Sequence, residues 1–204
     1  MNNATKTSVS DTYAEDMPPM EQLNTFCTMF APIKDRILLV TQGNHENRTY
    51  IKEGIDLTAV ASKELGVLDR YVKAGGVLFL KMGKNPHSNK SKTGLISYSL
   101  YVTHGSGGGR KEGAKAIRLA DMASIVDCDI YLHGHTHLPM IMKQAYYRTD
   151  ISNCMVKKVD KLFVNTSAQL DYGGYGQAFE FKPASKACPV IYLSGEGKSF
   201  TAKL

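Results

Sequence analysis

Three apolar segments of this chain end in the same way. "ILLVT" (37–41) runs through Gln42 into Gly43-Asn44-His45-Glu46, "LISYSLYVT" (95–103) into His104-Gly105, and "DIYL" (129–132) into His133-Gly134-His135-Thr136-His137. Short runs of this kind, rich in β-branched and aromatic residues and closed by glycine or a polar cluster, read as buried strands. Stretches with apolar residues at three- and four-residue spacing lie between them and read as helices. Strands that alternate with helices restrict the chain to an α/β arrangement. In such folds, loops at the carboxyl ends of strands aim side chains without disturbing the core. Five of the six histidines occupy such ends.

The remaining segments extend this pattern. Residues 1–17 read as an irregular polar arm, and Pro18-Pro19 opens a helix through "MEQLNTFCTMFAPI", with Leu23, Phe26, Cys27 and Phe30 on the face turned to a sheet. Residues 47–66 carry two short helices. Asp56 caps the second and Gly66 stops it, with Leu57, Val60, Ala61 and Leu65 as its apolar face. "GGVLFLKM" (75–82) and residues 95–105 are predicted strands joined by a hairpin across 83–94, and "RKEGAKAIRLADMASIV" (110–126) is a predicted helix. Beyond Met140 the pattern is mostly β, with "KLFVNTS" and "PVIYLSG" as the clearest strands and "DYGGYG" as the clearest turn. Two packed sheets with helices outside, in one domain over 1–204, are the expected architecture.

Composition narrows the function classes. At 204 residues and 43% hydrophobic, the chain can bury a sizeable core, and no apolar run is long enough to span a membrane. The polar N-terminus has no signal-peptide pattern, so a cytoplasmic location is expected, with Cys27, Cys128, Cys154 and Cys188 reduced and no CxxC pair to suggest a zinc knuckle. The net charge of +6 suits a phosphorylated partner, nucleic acid included. Much of that charge sits in "KMGKNPHSNKSK" (81–92), which has no interleaved aromatic residues and reads as a solvated loop carrying the isolated His87. "SGEGKS" near the C-terminus is not a nucleotide loop, because Tyr192 stands where the first glycine would have to be.

The histidines carry the chemistry. Imidazole is the commonest side chain on divalent transition metals, and alternate positions in an extended segment point to one side, so His135 and His137 are expected to reach one ion or two neighbouring ions. Gly43 is expected to supply the sharp turn that presents Asn44 and His45 together. In "GSGGGRKEG" (105–113), backbone N–H groups and Arg110 are placed to meet a phosphate at a helix N-terminus, or the glycines simply let the loop pass the ligands.

"GNHE" after one strand, "HG" after a later one and "GHTH" after a third resemble, in this order, the last three signature motifs of the calcineurin-like metallophosphoesterases. The resemblance covers residues 43–137. It implies a four-layer α/β/β/α sandwich of two mixed sheets, with two divalent ions at the strand ends, Mn²⁺ foremost and Zn²⁺ or Fe²⁺ as alternatives. Asn44, His104 and His135 would ligate one ion and His137 the other, whereas His133 is not a ligand in the family. His45 would be the catalytic histidine, facing a phosphomonoester or phosphodiester attacked by metal-activated hydroxide. Glu46 orients His45, pairs with Arg48 or caps its helix, and Arg48 and Arg110 are the expected substrate contacts.

The family's two earlier motifs, an Asp-x-His and a Gly-Asp, have no counterpart, since no histidine precedes His45 and no glycine precedes Gly43. The expectation is therefore a member lacking its first strands, with one ion-binding position largely kept, hydrolysis impaired, exposed sheet edges inviting self-association, and activity returning once the upstream codons are restored. The alternative is a catalytically inactive module of the same fold that binds metal or nucleic acid.

Overall fold

The computed structural model describes residues 16–84, 94–169, 177, 180–183 and 185–204. The N-terminal arm up to residue 15, the connection over 85–93 with His87, and the "DYGGYG" turn lie outside them. Mixed α/β structure is seen throughout: four α-helices, a five-stranded mixed sheet and a two-stranded sheet among the described residues. The chain divides into two compact units, Met1–Gly76 with Asp171–Pro183, and Val77–Leu170 with Ala184–Leu204. No helix among the described residues is long and apolar enough to cross a membrane.

The first unit is helical. Helix α1 (Pro19–Phe30) starts on a proline whose fixed φ and missing N–H suit a first turn, and it buries Leu23 and Cys27 as the spacing predicts. Helix α2 (Asn44–Glu53) ends at Gly54, and α3 (Leu57–Glu64) follows at once. Leu23 and Cys27 pack with Ala61, Leu65 and Val67, and Phe26 stacks on Phe30 at 4.5 Å between centroids. The buried face of α3 differs from the expected one: Thr58, Ala61, Ser62 and Leu65 are covered, while Val60 is exposed.

The strand expected at "ILLVT" is a correction. Only Val40 pairs, as an isolated parallel bridge with Tyr71, and Leu38 is exposed. The Val40 N–H donates to the Arg70 carbonyl at 2.9 Å and the Val72 N–H to the Val40 carbonyl at 2.9 Å. A third bond, from the Gln42 N–H to the Lys73 carbonyl at 3.3 Å, is out of step with a regular ladder, so the pairing stays a single bridge. Asp56 instead ties the segment down. Its carboxylate accepts from the Ala59 N–H at 3.0 Å as the α3 cap, from Gln42 Nε2 at 3.2 Å and from the Tyr71 hydroxyl at 2.7 Å. Burial and then this carboxylate hold the Tyr71 hydroxyl's pKa well above its ordinary value.

The second unit holds the sheet, in the order β1-β2-β3-β5-β4: β1 is Gly76–Met82, β2 Ile96–Thr103, β3 Ile130–His133, β4 Met140–Asp150 and β5 Met155–Asn165. Strands β2, β3 and β5 are mutually parallel, and β4 is antiparallel to β5. Helix α4 (Glu112–Ile125) carries the chain from β2 to β3, the crossover that parallel neighbours need. Strands β6 (Val190–Leu193) and β7 (Phe200–Lys203) form a separate antiparallel pair.

Side-chain alternation sorts two cores onto the two faces of the sheet. Tyr131 and Phe163 stack at 4.7 Å and pack with Leu119 and Met122 of α4. Ile96, Tyr98, Leu100, Ile130, Leu162 and Val164 meet Phe200 of β7 on the other face. This unit is therefore layered as helix, five-stranded sheet and two-stranded sheet. The "SGEGKS" segment is the turn of that last hairpin. The Tyr98 hydroxyl donates to the Ser194 carbonyl at 2.7 Å and accepts from the Ser199 N–H at 3.2 Å, while Lys198 meets Asp129 at 2.8 Å.

A buried lysine braces the α4 side. Lys161 Nζ lies 2.7 Å from Asp127 and 2.9 Å from the Tyr131 hydroxyl, and Arg148 reaches the same carboxylate at 2.6 Å. Burial pushes the Asp127 carboxyl up, but hydrogen bonds from Lys161 and Arg148 outweigh it and its pKa is lowered. A carboxyl depressed in the folded state contributes stability above its unfolded pKa and loses it as pH falls through the folded value. Urea melts of wild type and Asp127→Asn should therefore differ at pH 7 and converge below the ordinary aspartate range near pH 3.9. A pH-independent difference would rule this linkage out.

Candidate metal centre

Because β2, β3 and β5 are parallel and in register, with Thr103 beside His133 and His133 beside Asn165, their carboxyl ends emerge together at one edge. His104 leaves β2 there, and Gly134-His135-Thr136-His137 leaves β3 there. The two imidazoles meet: His135 Nδ1 lies 3.2 Å from His104 Nε2, with the rings inclined at 75°. The Gly134 N–H donates to the His104 carbonyl at 3.1 Å and locks the two loops side by side.

The residues after β3 are not extended, which corrects the period-of-two argument. His135 and His137 both adopt positive φ, 46° and 57°, the left-handed region that costs an ordinary residue about 1–2 kcal/mol. His135 is half-buried and His137 exposed, so alternation does not aim them at one point. Topology forces this curl. The chain must pass from the end of β3 over the end of β5 to start β4 at Met140, which pairs with Asn165 itself.

Asn165, buried at the end of β5 under that arch, holds it in place. Its Nδ2 donates to Thr136 Oγ1 at 2.9 Å and to the Leu138 carbonyl at 2.5 Å, and its Oδ1 lies 2.8 Å from His133 Nδ1. An amide nitrogen bonded to a carbonyl leaves the amide oxygen as acceptor, so the proton of His133 sits on Nδ1. His133 is thus a buried structural histidine. Its other nitrogen faces Gly105, where a Cβ would come within 2.0 Å of Nε2. Sequence reading missed Asn165 altogether; its signal, a polar residue closing the apolar run "KLFV", is the one that marked the histidines.

Asn44, His45 and Arg48 belong to the first turns of α2 in the first unit, with Asn44 exposed and His45 half-buried. Gly43 is the N-cap at φ −86° and ψ 165°, a conformation open to any residue, so the sharp turn expected of this glycine is not what it supplies. Gln42, immediately before it, is anchored by Asp56 and so fixes the approach to Asn44. Arg110 is exposed, just before α4.

The pair lies at imidazole–imidazole hydrogen-bond distance, a spacing that two ligands of one divalent ion also take. Two nitrogens each about 2.1 Å from a metal and about 100° apart would lie about 3.2 Å from each other, the separation of the His104–His135 pair. Among the described residues, no three His, Cys, Asp or Glu side chains converge as a metal-holding group. No protein-family model, no curated protein and no solved structure matches this chain.

Proposed function

We propose that this chain is a metal-dependent phosphoesterase of the calcineurin-like kind, acting on phosphomonoesters or phosphodiesters. The observation that carries this reading is the imidazole pair, 3.2 Å apart where two parallel strands end, with His135 held in a strained backbone conformation of the sort that concentrates at functional sites. On this reading His104 and His135 hold one ion, Mn²⁺ first and Zn²⁺ or Fe²⁺ next, and His137 serves a second ion, while Asn44, in the other unit, has only the ligand role that the resemblance implies. A bound ion supplies Lewis-acid polarisation of a phosphoryl oxygen and an acidified water. His45 gives a proton to the leaving oxygen, and Arg48 and Arg110 offer positive charge to the phosphate.

The test uses the full chain loaded with Mn²⁺ and then dialysed. Elemental analysis should find about one ion or more per chain, and His135→Ala should retain at least tenfold less. Hydrolysis of p-nitrophenyl phosphate or its bis-ester should require Mn²⁺ and fall at least a hundredfold in His45→Ala, within the range typical of general acid–base catalysis. Metal retention equal in wild type and His135→Ala would sink the assignment of the pair. Retention without turnover would leave a binding module in place of an enzyme.

A further inference from the structure

A cavity of about 160 Å³ opens beside the GHTH arch, lined by Gly107, Gly108, Gly109, Ala114, Lys115, Arg118 and Thr136. One water needs only about 10–15 Å³ of such space, so the cavity admits a group of several heavy atoms. Its lining contains two cationic side chains and no carboxylate. We propose that this cavity is an oxyanion pocket for a phosphate dianion, held by Lys115 and Arg118. The inference takes its choice of anion from the phosphoesterase reading but stands on different residues.

The walls are built closely. A Cβ on Gly109 would lie 2.6 Å from the Ala114 Cβ, so the loop after His104 is pressed onto the first turn of α4. A Cβ on Gly107 would lie 3.5 Å from Arg118 Cγ and 3.7 Å from its Nε, so the arginine runs along that loop, and both residues line the cavity. Thr136, buried between His135 and His137, closes the side nearest the histidines, its hydroxyl held by Asn165. The N-terminal end of α4, where the N-cap Lys111 makes no side-chain cap bond and Glu112 stands in the first turn, lies next to Ala114 and Lys115 of the lining. Two positive charges match a phosphate monoester, largely dianionic at neutral pH, or inorganic phosphate, a mixture of mono- and dianion there, better than a singly charged diester. Guanidinium also pairs with two phosphate oxygens at once. Arg110, the arginine that sequence reading favoured here, is not in the lining.

The dianion could be a terminal phosphate of the substrate or the free ion, and the experiment separates them. Isothermal titration of metal-free full-length protein in EDTA, with inorganic phosphate and with phenyl phosphate, should show binding that falls at least tenfold in Arg118→Gln and in Lys115→Gln. Arg118 is exposed and Lys115 half-buried, and thermal melts check that the variants stay folded. Equal affinity for the two probes assigns the pocket to a substrate's phosphate, whereas a tenfold preference for inorganic phosphate assigns it to the free ion. No phosphate binding, or binding unchanged in both variants, overturns the proposal. His135→Ala should lose Mn²⁺ yet keep phosphate, so failure of the pocket and failure of the metal site are told apart.

Discussion

Asn165→Ala should lower stability by about 3 kcal/mol and weaken metal retention about 10–100-fold, although Asn165 touches no proposed ligand through its side chain. The stability loss has identifiable parts. Truncation leaves the His133 Nδ1–H, the Leu138 carbonyl and the Thr136 hydroxyl short of a partner in a site where Asn165 is 2% exposed. Each buried polar group left unsatisfied costs about 1–3 kcal/mol, and the Leu138 carbonyl at the arch's outer side can recover a water. For a chain of this length that corresponds to a fall in Tm of roughly 6–12 °C. The effect on metal follows from strain: His135 and His137 hold positive φ because Asn165 pins the residue between them and the one after them. With the pins removed, the arch relaxes and His135 leaves His104. Thermal melts with Mn²⁺ titration measure both effects, and Asn165→Asp, which keeps the acceptor for His133 but sets a buried carboxylate oxygen against the Leu138 carbonyl, should be no more stable than alanine. Unchanged Mn²⁺ affinity in the alanine variant would refute the arch's role.

Gly105→Ala should cost about 3–4 kcal/mol, the largest penalty expected from adding one methyl group among the glycines of this loop. Two effects combine there. The residue sits at φ +82°, where a Cβ adds about 1–2 kcal/mol, and the added carbon would lie 2.0 Å from Nε2 of His133. His133 is 4% exposed and tied to Asn165, so its ring cannot swing aside without breaking a buried hydrogen bond, and forcing extra volume into such packing costs about 1–3 kcal/mol. Gly108→Ala, where a new Cβ meets nothing within 4 Å, is the matched control and should be nearly silent. A double variant with His133→Ala isolates the steric part, because the methyl then enters vacated space. Its coupling energy with Gly105→Ala should be favourable by about 1–3 kcal/mol. Denaturant melts of the four proteins close the cycle, and additivity within about 0.5 kcal/mol would mean that the ring is not the obstacle.

Both predictions concern residues that no motif marks. The helices α1, α3 and α4 and the strands β1, β2, β3, β5 and β6 lie where apolar periodicity, Pro18-Pro19, Asp56 and Gly134 place them, because those signals act within a few residues of the chain. "ILLVT" has the same composition as a strand but pairs only at Val40, since a ladder depends on what the neighbouring segment does. The curl of Gly134–Leu138 was likewise hidden. Alternation assumes extended backbone, and the need to cross the end of β5 overrides it.

The amino-acid sequence by itself determined the α/β class, the histidines at strand ends and the absence of membrane-spanning runs, because composition and spacing act locally and survive without knowledge of neighbours. Tertiary structure alone decided that His104 and His135 meet, that His133 is a structural residue held by Asn165, and that Lys115 and Arg118 rather than Arg110 line the cavity. Each of these depends on the parallel register of β2, β3 and β5, which sets groups tens of residues apart in the chain side by side, and no local pattern encodes that register.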